Sequence, residues 1–161
     1  MFTAKPIGFV RSSYRQMKEI PKGVGTKHEA EGVLDILPEY GPGLTDIEGF
    51  SHLFVLWEFH RSRGFQLLSA QPHHKQPHGI FAARCPGRPN PIGLTVVELL
   101  ERDQLRLRVR GVDMLDGTPI LDIKPYLSNV LEGRLRRGWM EESEALKSRH
   151  AGERLCQSRL H

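Results

Sequence analysis

Leu94-Thr95-Val96-Val97-Glu98-Leu99-Leu100-Glu101, Arg102-Asp103-Gln104, Leu105-Arg106-Leu107-Arg108-Val109-Arg110-Gly111-Val112 is the stretch on which the fold turns. Its second half alternates strictly with period two. Leu105, Leu107 and Val109 therefore share one face, and Arg106, Arg108 and Arg110 the other. The polar triplet between the halves predicts a hairpin. Further short extended segments flank it: Ile7–Ser12, Glu31–Leu37 stopped by Pro38, Gly79–Arg84, and Pro119–Ile123 ending at Lys124-Pro125. His52–His60 is strongly apolar and reads as a strand buried on both faces. Leu44–Gly49 fits one helical turn, and the polar run 61–79 reads as a long loop of the kind that often carries function. No βαβ alternation and no Gly-x-Gly-x-x-Gly occurs, which excludes a dinucleotide-binding fold. The expectation is an all-β fold, a small antiparallel β-barrel with short helical turns and a C-terminal helical tail.

The chain has 161 residues, a single-domain length that can bury a real core. Its 16 Gly and 11 Pro favour corners over long helices, and 39% hydrophobic with 26% charged residues, near ordinary globular values, exclude wholesale disorder. Residues 1–130 read as the barrel domain. Residues 131–161 read as a basic tail, helical in part over Trp139 to Leu155. No apolar run reaches the ~18–20 residues of a membrane helix. The N-terminus lacks a signal-like stretch. The two cysteines, Cys85 and Cys156, lie too far apart for a thiolate metal motif. A cytoplasmic protein with no membrane and no metal is expected. The net charge of +4 suits nucleic acid or another polyanion, and equally an ordinary basic protein.

Three segments carry chemistry. In Phe81-Ala82-Ala83-Arg84-Cys85-Pro86-Gly87-Arg88-Pro89-Asn90-Pro91-Ile92-Gly93-Leu94, proline and glycine fix a rigid loop. Arg84 and Arg88 there offer fork-shaped donors to a carboxylate or phosphate, or to acids of the chain itself. In Gly111–Tyr126, Asp113 and Asp116 suit an amine or a ribose, and equally the closing of a turn. His60-Arg61, at the end of the apolar strand, lines a pocket mouth or is structural. His73, His74 and His78 have no acid or cysteine nearby and read as solvated loop, and Cys85 as a small filler. Arg106, Arg108, Arg110 and the tail residues Arg134, Arg136 and Arg137 are phosphate contacts if the substrate is RNA; otherwise the strand arginines pair with acids across the sheet.

Four stretches in this order resemble one family. They are Pro6-Ile7-Gly8-Phe9-Val10-Arg11-Ser12-Ser13-Tyr14, Gly49-Phe50-Ser51-His52-Leu53, Arg88-Pro89-Asn90-Pro91-Ile92-Gly93, and Asp116-Gly117-Thr118-Pro119 through Asp122-Ile123-Lys124-Pro125-Tyr126. They are similar to the TsaA-like (YaeB-like) family of S-adenosylmethionine-dependent tRNA methyltransferases, which act on N6 of threonylcarbamoyladenosine beside the anticodon. The resemblance covers residues 5 to about 128 and reads as a short form without the extra C-terminal domain. It implies a small β-barrel, a homodimer with cofactor near the subunit interface, and tRNA as partner. Carried over by position, S-adenosyl-L-methionine would be held by Pro21-Lys22-Gly23, His60-Arg61, Arg84, Leu94 and Asp113-Met114-Leu115-Asp116. Longer members have Pro-Arg-Gln and His-Gln where this chain has Pro21-Lys22-Gly23 and His60-Arg61. Asp116 is the candidate general base, and Arg88, Arg134, Arg136 and Arg137 are the candidate RNA contacts. Two alternatives remain: a methyltransferase of a small molecule or protein, and a non-enzymatic cofactor-binding regulator.

Overall fold

The computed structural model describes residues 1–23, 25–70 and 74–145. Its strands are β1 (Gly8–Arg11), β2 (Glu31–Ile36), β3 (His52–Glu58), β4 (Leu68–Ser69), β5 (His78–Gly79), β6 (Ile92–Asp103), β7 (Arg106–Arg110) and β8 (Pro119–Pro125). Six of them close into an antiparallel ring in the order β1-β2-β7-β6-β3-β8, with β8 pairing back onto β1. The expected hairpin is β6–β7. It turns at Gln104, whose φ of 53° is left-handed. A bulge between Leu99 and Glu101 re-aims the end of β6.

Alternation fills the ring. Val10, Leu34, Ile36, Leu53, Val55, Trp57, Val97, Leu107, Val109 and Ile120 point inward and are buried, and Leu44, Val112 and Met114 complete the same cluster. Small barrels are packed solid in this way. On β7 the outward arginines meet acids: Arg106 with Asp35, Arg108 with Glu31 and Glu101, and Arg110 with Glu31 and Glu98.

Several expectations are corrected. His52–His60 is not buried on both faces. β3 stops at Glu58 and buries only alternate residues, while Phe54 packs outside against Tyr126 with ring centroids 5.0 Å apart. Gly79–Arg84 is no strand. Ile80–Ala82 is a 3-10 turn, because the Arg88 guanidinium draws in the carbonyls of Ile80 (2.9 Å) and Ala83 (2.7 Å). The 61–79 segment is not wholly loop, since β4 and β5 pair within it. The helical turn expected at 44–49 is the 3-10 turn Ile47–Gly49, and a further 3-10 turn, Pro38–Leu44, precedes it. Residues 139–145 are helical; the rest of the expected tail helix, like His73 and Cys156, lies outside the described residues. The tail docks on the loop. Trp139 stacks on His78 at 4.3 Å and donates to the Ala82 carbonyl at 2.9 Å.

Candidate functional site

At one end of the ring a cavity of about 160 Å³ opens between the end of β3, the 111–118 segment and the turn at 17–20. Trp57 and Phe59 form an aromatic wall with centroids 4.2 Å apart. Met17, Ile20 and Leu115 are among the other apolar lining residues, and Glu58, His60, Arg61 and Asp113 among the polar ones.

Asp113 is fixed from behind. The Trp57 indole N–H donates to the Thr95 hydroxyl at 2.9 Å, and that hydroxyl donates to Asp113 Oδ1 at 2.6 Å. No other hydrogen bond reaches this carboxylate among the described residues, so its second oxygen remains able to accept from a ligand. Thr95 was not singled out by sequence. Within an alternating strand a threonine carries no signal of what it bonds. Gly93 makes the chain possible. A Cβ there would lie 2.3 Å from the Trp57 ring, so only glycine lets the indole lie across β6.

The turn that brings Met17 to the cavity is held by Glu19. Its carboxylate accepts from the backbone N–H groups of Arg15 (2.6 Å) and Gln16 (2.7 Å). The Gln16 contact first, then the Arg15 contact, holds the Glu19 pKa below the ordinary glutamate value. Met17 and Ile20, also missed by sequence, are ordinary apolar letters whose role appears only once this turn is folded against β3.

The residues expected at the site divide. His60, Arg61, Asp113 and Leu115 line one cavity. Arg84 and Leu94 are joined by a guanidinium-to-carbonyl hydrogen bond but do not line it. Pro21, Lys22 and Gly23 follow the lining residue Ile20 and are exposed. The Lys22 carbonyl there accepts from the Thr26 hydroxyl at 3.0 Å. The Met114 side chain is fully buried in the core, and its backbone carbonyl accepts from the Ser12 hydroxyl at 2.7 Å.

Asp116 faces another hollow, of about 400 Å³, across Phe9, Asp35 and Gly117. One of its oxygens accepts from the Ser12 N–H at 3.0 Å and the other is ion-paired with Arg15. Asp35 in the same hollow is paired with Arg11 and Arg106. These carboxylates brace strands and turns, and neither is poised as a free base.

The expected RNA contacts also shift. Arg88 is turned into its own loop. Arg137 clamps Glu144 through its two terminal guanidinium nitrogens. Arg134 and Arg136 stand exposed and form no ion pair among the described residues. Among the described residues no group of three or more His, Cys, Asp or Glu could hold a metal ion.

Comparison with known proteins gives a consistent set. A family model described as the tRNA-methyltransferase O N-terminal domain matches residues 9–130. A probable S-adenosyl-L-methionine-binding protein of Pyrococcus abyssi is 43% identical over 89% of this chain and 78% of its own length. The tRNA (adenine(37)-N6)-methyltransferase of Escherichia coli is 36% identical over 78% of this chain and 58% of its own length. A crystal structure of TrmO superposes with a TM-score of 0.70 at 36% identity, over 86% of this chain and 64% of that one. The chain thus spans less than two thirds of that solved protein.

Proposed function

The chain belongs to the tRNA-methyltransferase O N-terminal-domain family, and from that premise we propose that it is an S-adenosyl-L-methionine-dependent methyltransferase acting on N6 of threonylcarbamoyladenosine at position 37 of tRNA, the position named for its Escherichia coli relative. The observation that carries this reading is the Trp57–Thr95–Asp113 chain, which aims one carboxylate into an aromatic-walled cavity. That donor set fits the cofactor. Asp113 accepts from an ammonium or ribose hydroxyl, and Trp57, Phe59 and Leu115 receive an apolar or aromatic portion.

When bound, S-adenosyl-L-methionine supplies a methyl group on a sulfonium, open to in-line displacement. The chain's own part is placement and exclusion of water. Asp113 fixes the ligand's orientation. His60 and Arg61 stand at the cavity wall, where the Arg61 guanidinium is tied to the Arg15 carbonyl at 2.8 Å. Asp116 holds the 12–15 segment in place through Ser12 and Arg15, a positioning role rather than that of a proton acceptor.

A cavity of about 160 Å³ is small against the ~300–1,000 Å³ of typical small-molecule sites. We assign the remainder of the site to a second copy, with Arg84 and Leu94 meeting the ligand across a homodimer interface. A tRNA-modifying role supports a cytoplasmic location as part of this proposal.

The test uses methyl-labelled S-adenosyl-L-methionine with total tRNA lacking this modification, and in parallel a tRNA-free metabolite pool. Nucleosides are then resolved by mass spectrometry. The expected result is label in the N6-methylated threonylcarbamoyladenosine, abolished by Asp113→Asn and retained within a few-fold by Asp116→Asn. Label only in the metabolite pool, or cofactor binding without turnover, overturns the proposed reaction. Loss of turnover with Asp116→Asn in a folded protein that still binds cofactor returns Asp116 to the role of base.

A further inference from the structure

Two groups of cations on this molecule contrast. Those on the barrel wall are neutralised, as Arg102 by Glu48, Arg106 by Asp35, Arg108 by Glu31 and Arg110 by Glu98 show. Exposed pairs of this kind contribute little to stability, but they take those arginines away from an incoming polyanion. At the cavity mouth the situation reverses. Arg61 meets a backbone carbonyl and, among the described residues, no carboxylate. Arg63 is exposed and has neither an ion pair nor a hydrogen bond among the described residues.

Between and beyond them the chain is held firmly. The Ser62 N–H donates to the Phe59 carbonyl at 2.9 Å, and its hydroxyl to the Pro86 carbonyl at 3.1 Å. Gly64 then turns with φ of +68°, and a Cβ on Gly87 would stand 3.9 Å from the Phe65 backbone. The 61–65 segment therefore rests on the proline-rich corner rather than swinging free. It ends in Phe65, 55% exposed, an aromatic ring that the core does not use.

An unpaired guanidinium, a turn and an exposed ring, directly following the cavity residues Arg61 and Ser62, match how single-stranded nucleic acid is held. Cations follow the phosphates, and a ring stacks on an unpaired base whatever its identity. We infer that Arg63 and Phe65 form the RNA grip at the cavity mouth, Arg63 on a phosphate and Phe65 on an unpaired base next to the one that enters the cavity. This rests on the tRNA reading above. It moves the phosphate contacts from the barrel wall and from Arg137 to the loop. An unpaired loop satisfies both groups, whereas a fully paired duplex satisfies only the arginine.

The test is fluorescence anisotropy with a labelled hairpin RNA carrying an unpaired loop, and with a blunt duplex of equal length, across a salt series. Arg63→Gln is expected to flatten the salt slope for the hairpin by about 0.7, the value of one single-strand phosphate contact. Phe65→Leu keeps an apolar side chain and loses the ring. It is expected to weaken hairpin binding about tenfold and leave the duplex unchanged, with Phe65→Tyr restoring native affinity. Cofactor binding and thermal unfolding of each variant should match the native protein. A native protein that binds the hairpin while the Arg63→Gln/Phe65→Leu variant keeps its affinity and slope overturns the grip and leaves the tRNA reading standing. A native protein that binds neither RNA overturns both.

Discussion

Thr95 has one hydroxyl hydrogen, and its direction is settled by the two groups around it. The Trp57 N–H can only donate, so Thr95 accepts there and gives its own proton to Asp113. The threonine and the tryptophan are both nearly buried, at 5% and 6% exposure, so water cannot replace either bond. Thr95→Val keeps the shape and removes both bonds, leaving the indole N–H unpaired. The expected loss of stability is about 1–3 kcal/mol, accompanied by weaker cofactor binding because Asp113 loses its fixed rotamer. Thr95→Ser restores the hydroxyl and should recover binding ahead of full stability. Calorimetric titration alongside thermal unfolding separates the two effects. Native affinity in Thr95→Val would show that Asp113 is held by other means.

At the scale of elements, the 3-10 turn Met17–Glu19 is the weakest wall of the cavity, because a short turn depends on its cap. Glu19 serves that cap only when ionised, and its pKa lies below the ordinary 4.5. A lowered carboxyl pKa means stability that is present above the ordinary value and lost as pH falls through the lowered one. Cofactor affinity is therefore expected to decline below about pH 4.5 while the barrel is still folded by circular dichroism. Glu19→Gln should bind more weakly at neutral pH and show a flatter acid limb. Identical acid limbs would remove Glu19 from the account. The hairpin was legible in sequence because a period of two leaves its register no choice. Asp113 stood out in sequence as an acid in a glycine-bounded segment, with the family resemblance behind it, but the cavity it lines did not. The turn at Ile80–Ala82 was not, because what bends it is Arg88, a residue further along whose side chain folds back. The docking of Trp139 on His78 was illegible for a related reason: neither residue carries a local pattern, and their contact exists only after the loop and tail meet. The strand arginines were ambiguous because periodicity gives their face but not their partners across the sheet.

The whole molecule leaves one face unexplained by its own core. Outward from β6, Ile92, Leu94 and Val96 are 46%, 45% and 41% exposed, and they sit in register with Glu58, Leu56 and Phe54 of β3. Apart from Glu58, cross-strand partners on one face make this a continuous apolar surface, of the kind that marks an interface rather than a solvated wall. Leu94 lies in its middle, and its carbonyl receives Arg84. The same residues were expected to touch cofactor, yet the cavity does not reach them within one chain. Pairing two copies through this face resolves the mismatch, since each would bring Arg84 and Leu94 toward the other's open site. Val96→Asp places a charge on that face and leaves the buried ring untouched, so the fold should survive. Light scattering is expected to give twice the 18.3 kDa chain mass for the native protein and the single mass for the variant. Cofactor affinity should fall with dimer content as both are diluted. A native monomer, or a Val96→Asp dimer of native affinity, would mean that the site is complete in one chain and that the outer face of β6 serves some other contact.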